Sequence, residues 1–314
     1  MDALCNRPYV VVIGGPTATG KTALSVALAK QFGGEIINAD SMQIYKHLCV
    51  GTAKVAPEEQ QGVPHHLLDF LEPEQSYSVA DFVKDASACI QTITEKGCLP
   101  LLVGGTGLYI SSLINGVRFA PEEGDPNLRQ RLQQQADAEG TAALYARLQA
   151  VDPVYAQKVH PNNVTRVIRA LELFETTGRR MSEEQRSSRP EVPPYRALCL
   201  CLTCRDRAEL YRRIDRRVDQ MMQNGLLAEA ELVWKNRAIY HTAAQAIGYK
   251  EFFPYFAMEQ PLNVCVENLK RATRRYAKRQ LTWFRHQSDA VWLYLEDGKV
   301  EEQACHVVQT FLQS

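Results

Sequence analysis

Tyr9-Val-Val-Val-Ile-Gly-Gly-Pro-Thr-Ala-Thr-Gly-Lys-Thr22 decides the fold. Tyr9 to Ile13 is an apolar, largely β-branched run of strand length. Gly15 to Thr22 then fits GxxxxGK(S/T), and Lys21 to Phe32 continues as a helix. A strand before this pattern and a helix after it make a phosphate-binding loop credible. The physics is local: glycines let consecutive backbone N–H groups face one concavity, and the helix N-terminus adds its dipole. Lys21 supplies a point charge, and the Thr22 hydroxyl can ligate magnesium. Gly15, Pro16, Thr17, Ala18, Thr19, Gly20, Lys21 and Thr22 therefore form the candidate cradle for a di- or triphosphate. ATP is the default ligand of such a loop.

Outward from this stretch, short apolar runs alternate with helical ones: Glu35 to Asn38, a helix near Val79 to Lys96, then Leu99 to Val103. Alternation of this kind predicts an α/β fold, a P-loop NTPase-like core with a mostly parallel sheet. Gly33-Gly34 and Gly97 stand where left-handed caps would end the two helices. After Gly116 the pattern changes. Ala120 to Pro126 reads as a turn region, Leu128 to Leu148 and Asn163 to Phe174 read as helices, and Ser187 to Pro194 reads as a second loop. This predicts a helical insertion domain over 118–194, between a first core part (1–117) and a second (195–314). The second part begins with the strand Ala197 to Leu202 and ends with strand-like Val291 to Leu295 and a last helix.

The chain has 314 residues, 45% hydrophobic and 23% charged, which excludes disordered and fibrous classes. No apolar run approaches the roughly 18 residues of a membrane span. The first residues lack the pattern of a signal peptide, so a cytoplasmic protein is expected. Nine cysteines without paired spacing read as reduced thiols. Cys199, Cys201 and Cys204 lack the second pair that a zinc site needs, and Leu198 to Leu202 reads as a buried strand. His65, His66 and His160 read as structural, since adjacent histidines diverge on regular backbone. Lys plus Arg balances Asp plus Glu, 36 against 36, yet Asn268 to Arg285 holds Lys270, Arg271, Arg274, Arg275, Lys278, Arg279 and Arg285 with no acid. That asymmetry suits a polyanionic partner, with a solvated basic face as the alternative.

The remaining signals bear on which phosphate is bound. An NTPase would place an Asp at a strand end to hold magnesium. Leu99 to Val103 instead runs into Gly104-Gly105-Thr106-Gly107-Leu108-Tyr109, and the acid follows the other strand as Asp40. From the residues alone Asp40 is a general base, a magnesium-side acid, or a helix N-cap. Farther on, Arg213 and Arg217 stand four apart on the helix around Tyr211 to Met222, which suits a phosphate, or pairing with Asp215 or Glu209.

These stretches resemble the tRNA dimethylallyltransferase (tRNA isopentenyltransferase) family, bacterial type: GGPTATGKT (14–22), NADSMQIYK (38–46), GTAK (51–54), VPHHLLD (63–69), YSVADF (77–82), LLVGGTGLY (101–109), HPNNVTRVIRALE (160–172) and AKRQLTWFR (277–285). The likeness spans nearly the whole chain, in order. It implies transfer of a dimethylallyl group from dimethylallyl diphosphate to N6 of the adenosine 3′ to the anticodon, in tRNAs reading codons that start with U. The loop would then hold a diphosphate leaving group, with Mg2+ on Thr22. By the same resemblance, Lys21, Thr106 and Arg213 join Asp40 as catalytic residues. The anticodon stem-loop would be met by Asp40, Ser41, Met42, Gln43 and Thr106. In the insertion it would meet Arg129, Thr165, Arg166, Val167, Ile168 and Arg169, and on the basic helix Arg274, Lys278, Arg279, Gln280, Trp283 and Arg285. The family also implies a monomer, and the zinc-finger extension of some eukaryotic relatives is absent. Thr19, Val55 and Asn163 depart from its commonest pattern, the last at the insertion turn. The competing readings are a P-loop small-molecule or nucleotide kinase, which leaves the basic helix unexplained, and a non-catalytic nucleotide-gated RNA-binding protein, which has no use for Asp40.

Overall fold

The structure, a computed structural model, describes residues 7–119, 126–286 and 289–314. Most of the turn expected at Ala120 to Pro126, and Cys5, lie outside the described residues. Six strands form one sheet: β1 (Tyr9–Gly14), β2 (Gly34–Asn38), β3 (His65–His66), β4 (Leu99–Val103), β5 (Arg196–Thr203) and β6 (Ala290–Tyr294). Their order is β3-β2-β4-β1-β5-β6, and every pairing is parallel.

Continuous apolar runs form these strands because both sheet faces are covered. Val11 and Ile13 pack with Ile36, Leu101, Leu200 and Leu202 beneath the helices Lys21–Phe32 and Val300–Gln313. Val10 and Val12 point the other way with Ile37, Leu102 and Cys201, beneath Val79–Glu95 and Gly107–Ile114. Each of these four β1 side chains is at most 1% exposed, worth about 1.5–3 kcal/mol apiece. The phosphate loop therefore follows a strand that is buried on both faces.

The chain divides into two compact units, one of residues 1–114 with 194–314 and one of 115–193. Helices are the only regular secondary structure among the described residues of the second, which has its own core of Leu128, Leu132, Leu144, Leu148, Tyr155, Val167, Ile168 and Leu171. Asn163 opens its helix Val164–Thr177 as N-cap, its side chain accepting from the Arg166 N–H. In the first unit a further core joins Ile44, Tyr45 and Leu48 to the helices Arg207–Gln223, Leu226–Lys235 and Leu262–Arg285 through Val218, Val233, Tyr249 and Leu269. No described helix is long and apolar enough to cross a membrane.

Candidate active site

A cavity of about 400 Å³ opens where the sheet ends at the phosphate loop, within the range of small-molecule sites. Thr17 to Thr22, Asp40 to Gln43, Gly51 to Ala53, Arg217, Tyr249, Tyr276 and Gln280 line it, among others. Gly20 at φ 84° and Ala18 at φ 66° turn the loop into the helix. Lys21 Nζ donates to the Pro16 carbonyl at 2.8 Å, and the buried Thr19 hydroxyl donates to the same oxygen at 2.9 Å. Thr19 thus shapes the loop from inside. Burial, with Arg217 beside it, lowers the Lys21 ammonium from 10.5 to about 8 against the opposing pull of Asp40. Arg217 is itself lowered by burial.

Asp40 follows β2 and is the only acidic side chain lining the cavity among the described residues. No helix starts at Asp40, so the N-cap reading falls away. One carboxylate oxygen accepts from the Met42 N–H at 2.9 Å, while the Asp40 N–H donates to Asn38 Oδ1 at 3.2 Å. Among the described residues the other oxygen has no hydrogen-bond partner. Thr106 is fixed beside it: its N–H donates to the Ala39 carbonyl at 3.2 Å, and its hydroxyl accepts from the Ser41 N–H at 3.1 Å. Gln43 donates to the carbonyls of Thr52 and Ala53 at 3.1 and 3.2 Å, holding the GTAK stretch.

Arg213 reaches the phosphate loop through its Nε, which donates to the Ala18 carbonyl at 2.9 Å. Arg217, one turn on, lines the cavity. Neither takes Asp215 or Glu209, which pair with Arg274 and Arg212 instead.

Gln280 was expected on an RNA-facing surface. It is 5% exposed and works inside the site, accepting from the Thr17 N–H at 3.1 Å and donating to the Gly105 carbonyl at 3.0 Å. Trp283 is half-buried against Gly107. Outward, the long helix Leu262–Arg285 exposes Arg271, Arg275, Lys278, Arg279 and Arg285. Arg274 is held by Asp215 at 2.6 and 2.7 Å, and Lys270 by Asp219 at 2.8 Å. The basic surface is therefore narrower than the run of cations suggests.

In the insertion unit, Arg129 and Arg169 both pair with the buried Glu172, at 2.9 and 3.0 Å. Thr165 and Arg166 are exposed. Val167 and Ile168, expected to touch tRNA, are 1% and 4% exposed in that unit's core. Neighbouring helix positions point about 100° apart, so a whole segment cannot share one surface. His65 and His66 form β3, with His65 Nδ1 2.9 Å from the Val63 carbonyl and His66 Nε2 2.6 Å from Glu35. The eight described cysteines are free, and burial pushes the Cys199 thiol up to about 12.

A parallel sheet with a phosphate loop on its central strand, an acid beside that loop and cations around it defines a P-loop α/β protein that binds a phosphorylated ligand. Residues 43–287 match the IPP transferase family model, and residues 8–72 match isopentenyl transferase. This chain belongs to the IPP transferase family. It is 49% identical to a tRNA dimethylallyltransferase of Geobacillus thermodenitrificans over 93% of this chain and 94% of that one. It is 45% identical to that of Caldanaerobacter subterraneus, over 94% of both. The solved tRNA isopentenylpyrophosphate transferase of Bacillus halodurans shares 42% identity at a TM-score of 0.73, covering 98% of each chain. A eukaryotic dimethylallyltransferase described as acting on tRNA shares 30% identity at a TM-score of 0.82, over 98% of this chain and 80% of that one.

Proposed function

We propose that this protein transfers a dimethylallyl group from dimethylallyl diphosphate to N6 of the adenosine 3′ to the anticodon, in tRNAs reading codons that start with U. It releases diphosphate and acts as a cytoplasmic monomer. The observation that carries the reading is one cavity that joins a phosphate loop to a carboxylate with an uncommitted oxygen, in a chain that matches tRNA dimethylallyltransferases almost end to end. The kinase and RNA-binding readings have no support among the relatives.

Breaking the allylic carbon–oxygen bond leaves the electron pair on diphosphate. Lys21, Arg213, Arg217 and the loop amides would stabilise that charge as it forms. The Thr17 amide is already engaged by Gln280. An adenine N6 lone pair is delocalised into the ring, so attack on the allylic carbon is helped by removal of the N6 proton, which Asp40 would accept. Thr106 would orient the incoming base beside Asp40. The base must leave its stack to arrive there, which contacts on flanking nucleotides offset. Arg129, Thr165, Arg166, Arg169, Lys278, Arg279 and Arg285 would supply them.

No three His, Cys, Asp or Glu side chains converge on a metal position among the described residues. Magnesium needs no such cage, because it keeps waters and takes phosphate oxygens as ligands. The hydroxyl of Thr22, at the loop's exposed end, fits that donor set. When bound there, the ion would neutralise part of the diphosphate charge.

The test is transfer of labelled dimethylallyl group to unmodified bacterial tRNA with magnesium, beside an ATP-hydrolysis control. Label on tRNA without ATP is the expected result. ATP consumed with no label would overturn the reading. Asp40→Ala should lower transfer by about 10²–10⁴-fold and leave tRNA affinity within a few-fold. Comparable loss of both would remove Asp40 as the base.

A further inference from the structure

Beyond its phosphate loop the cavity has an apolar part, lined by Val218, Met221, Ala246, Ile247, Tyr249 and Leu269, among polar residues elsewhere. Tyr249 is the best anchored of these. It is fully buried, and a Cβ added to Gly51 would stand 2.5 Å from its ring, so the ring lies flush on that glycine. Its hydroxyl donates to Glu229 Oε1 at 2.7 Å. The same carboxylate accepts from the Cys49, Val50 and Gly51 N–H groups at 2.7, 2.9 and 2.7 Å. Three consecutive amides and a phenol thus converge on one carboxylate that reaches them from the helix Leu226–Lys235. Charge-assisted bonds of this kind are roughly twice as strong as neutral ones. Burial and Glu229 push the phenol far above its ordinary range, so it stays a donor. Neither the ring nor the backbone beneath it has room to yield.

We infer that Tyr249, locked by Glu229 against Gly51, is a specificity-determining residue that limits the allylic chain to five carbons. The inference rests on the proposed function. With diphosphate in the phosphate loop, the hydrocarbon tail has to lie along the apolar lining. A tail long enough to reach the Tyr249 ring meets a packed wall there, which does not deform cheaply. Dimethylallyl diphosphate is accepted and geranyl diphosphate is refused.

The experiment compares kcat/KM for dimethylallyl and geranyl diphosphate on one tRNA, in the wild type and in Tyr249→Ala, Tyr249→Leu, Tyr249→Phe and Glu229→Gln. Tyr249→Ala and Tyr249→Leu should raise the geranyl-to-dimethylallyl ratio by at least about tenfold, mainly through a lower KM for geranyl diphosphate. Tyr249→Phe keeps the ring and should keep the discrimination. Glu229→Gln replaces one accepting oxygen by a donor, which loosens the ring's anchor and should relax the ratio a few-fold. If Tyr249→Ala does not fold, direct titration of Tyr249→Leu with geranyl diphosphate reads the same gain. A ratio unmoved in folded Ala and Leu variants, or a wild type that uses both chains equally, overturns the inference alone. A wild type that transfers no dimethylallyl group overturns the proposed function, and this inference with it.

Discussion

Two glycine-rich loops bound the cavity, and Gly20 of the first is glycine for a different reason from the glycines of the second, whereas Gly15 combines both, with φ 134° and a Cβ position 2.3 Å from the Leu202 carbonyl oxygen. In the phosphate loop, Gly20 adopts a left-handed conformation with nothing within 4 Å of where a Cβ would stand, so the backbone angle selects the residue. In the second loop none of Gly104, Gly105 and Gly107 has a positive φ. There proximity selects glycine: a Cβ would lie 2.3 Å from the Ala39 carbonyl oxygen, 2.0 Å from Gln280 and 2.3 Å from Trp283, respectively. One loop is shaped to receive an anion. The other is shaped so that β2 and the long helix can close onto it. A glycine motif read as letters does not separate these two uses; the space around each residue does.

Alanine substitutions test the contrast. Gly104→Ala should have the largest effect, about 3 kcal/mol or loss of folding, because the obstructing atoms are backbone. Urea unfolding measures it, and a loss under about 1 kcal/mol would break the distinction. Gly105→Ala should cost about 2 kcal/mol, since the obstacle is a side chain. A cycle with Gln280→Ala should recover much of that cost, and additivity would show the contact to be unimportant. A pH titration probes the phosphate loop itself. With the Lys21 ammonium at about 8, diphosphate affinity should hold below that pH and fall by up to about tenfold per unit above it. Binding should then take up a proton, readable by calorimetry in two buffers, and Lys21→Arg should remove the effect. Gly20→Ala should cost least in stability, about 1 kcal/mol of left-handed strain.

Local signals are legible in the sequence. The helix Lys21–Phe32 and strand Leu99–Val103 fall where the sequence puts them, because the apolar run, the glycine-rich turn and the helix closed by Gly33 are written in neighbouring residues. β3 is only His65–His66 and has no run to detect. Arg274 was placed on the open basic face, and only the packed neighbour helix supplies the Asp215 that holds it. The residues least visible in sequence are those whose work is done across the chain. Glu229 holds residues 178 to 180 positions away, and the motif around Gln280 gave no hint of a partner 263 positions earlier. Nothing near either residue marks the hydrogen bonds it makes.

That last separation has a consequence for how the molecule is made. The phosphate loop leaves the ribosome long before its sheet is complete, because β1 sits between β4 and β5 and its second neighbour is not synthesised until residue 203. The amide of Thr17 is not tied to the Gly105 loop until Gln280 has emerged. A nascent chain shorter than this carries the whole signature of a phosphate site without its support. The first motif therefore takes its final form only after a residue 263 positions downstream has been made.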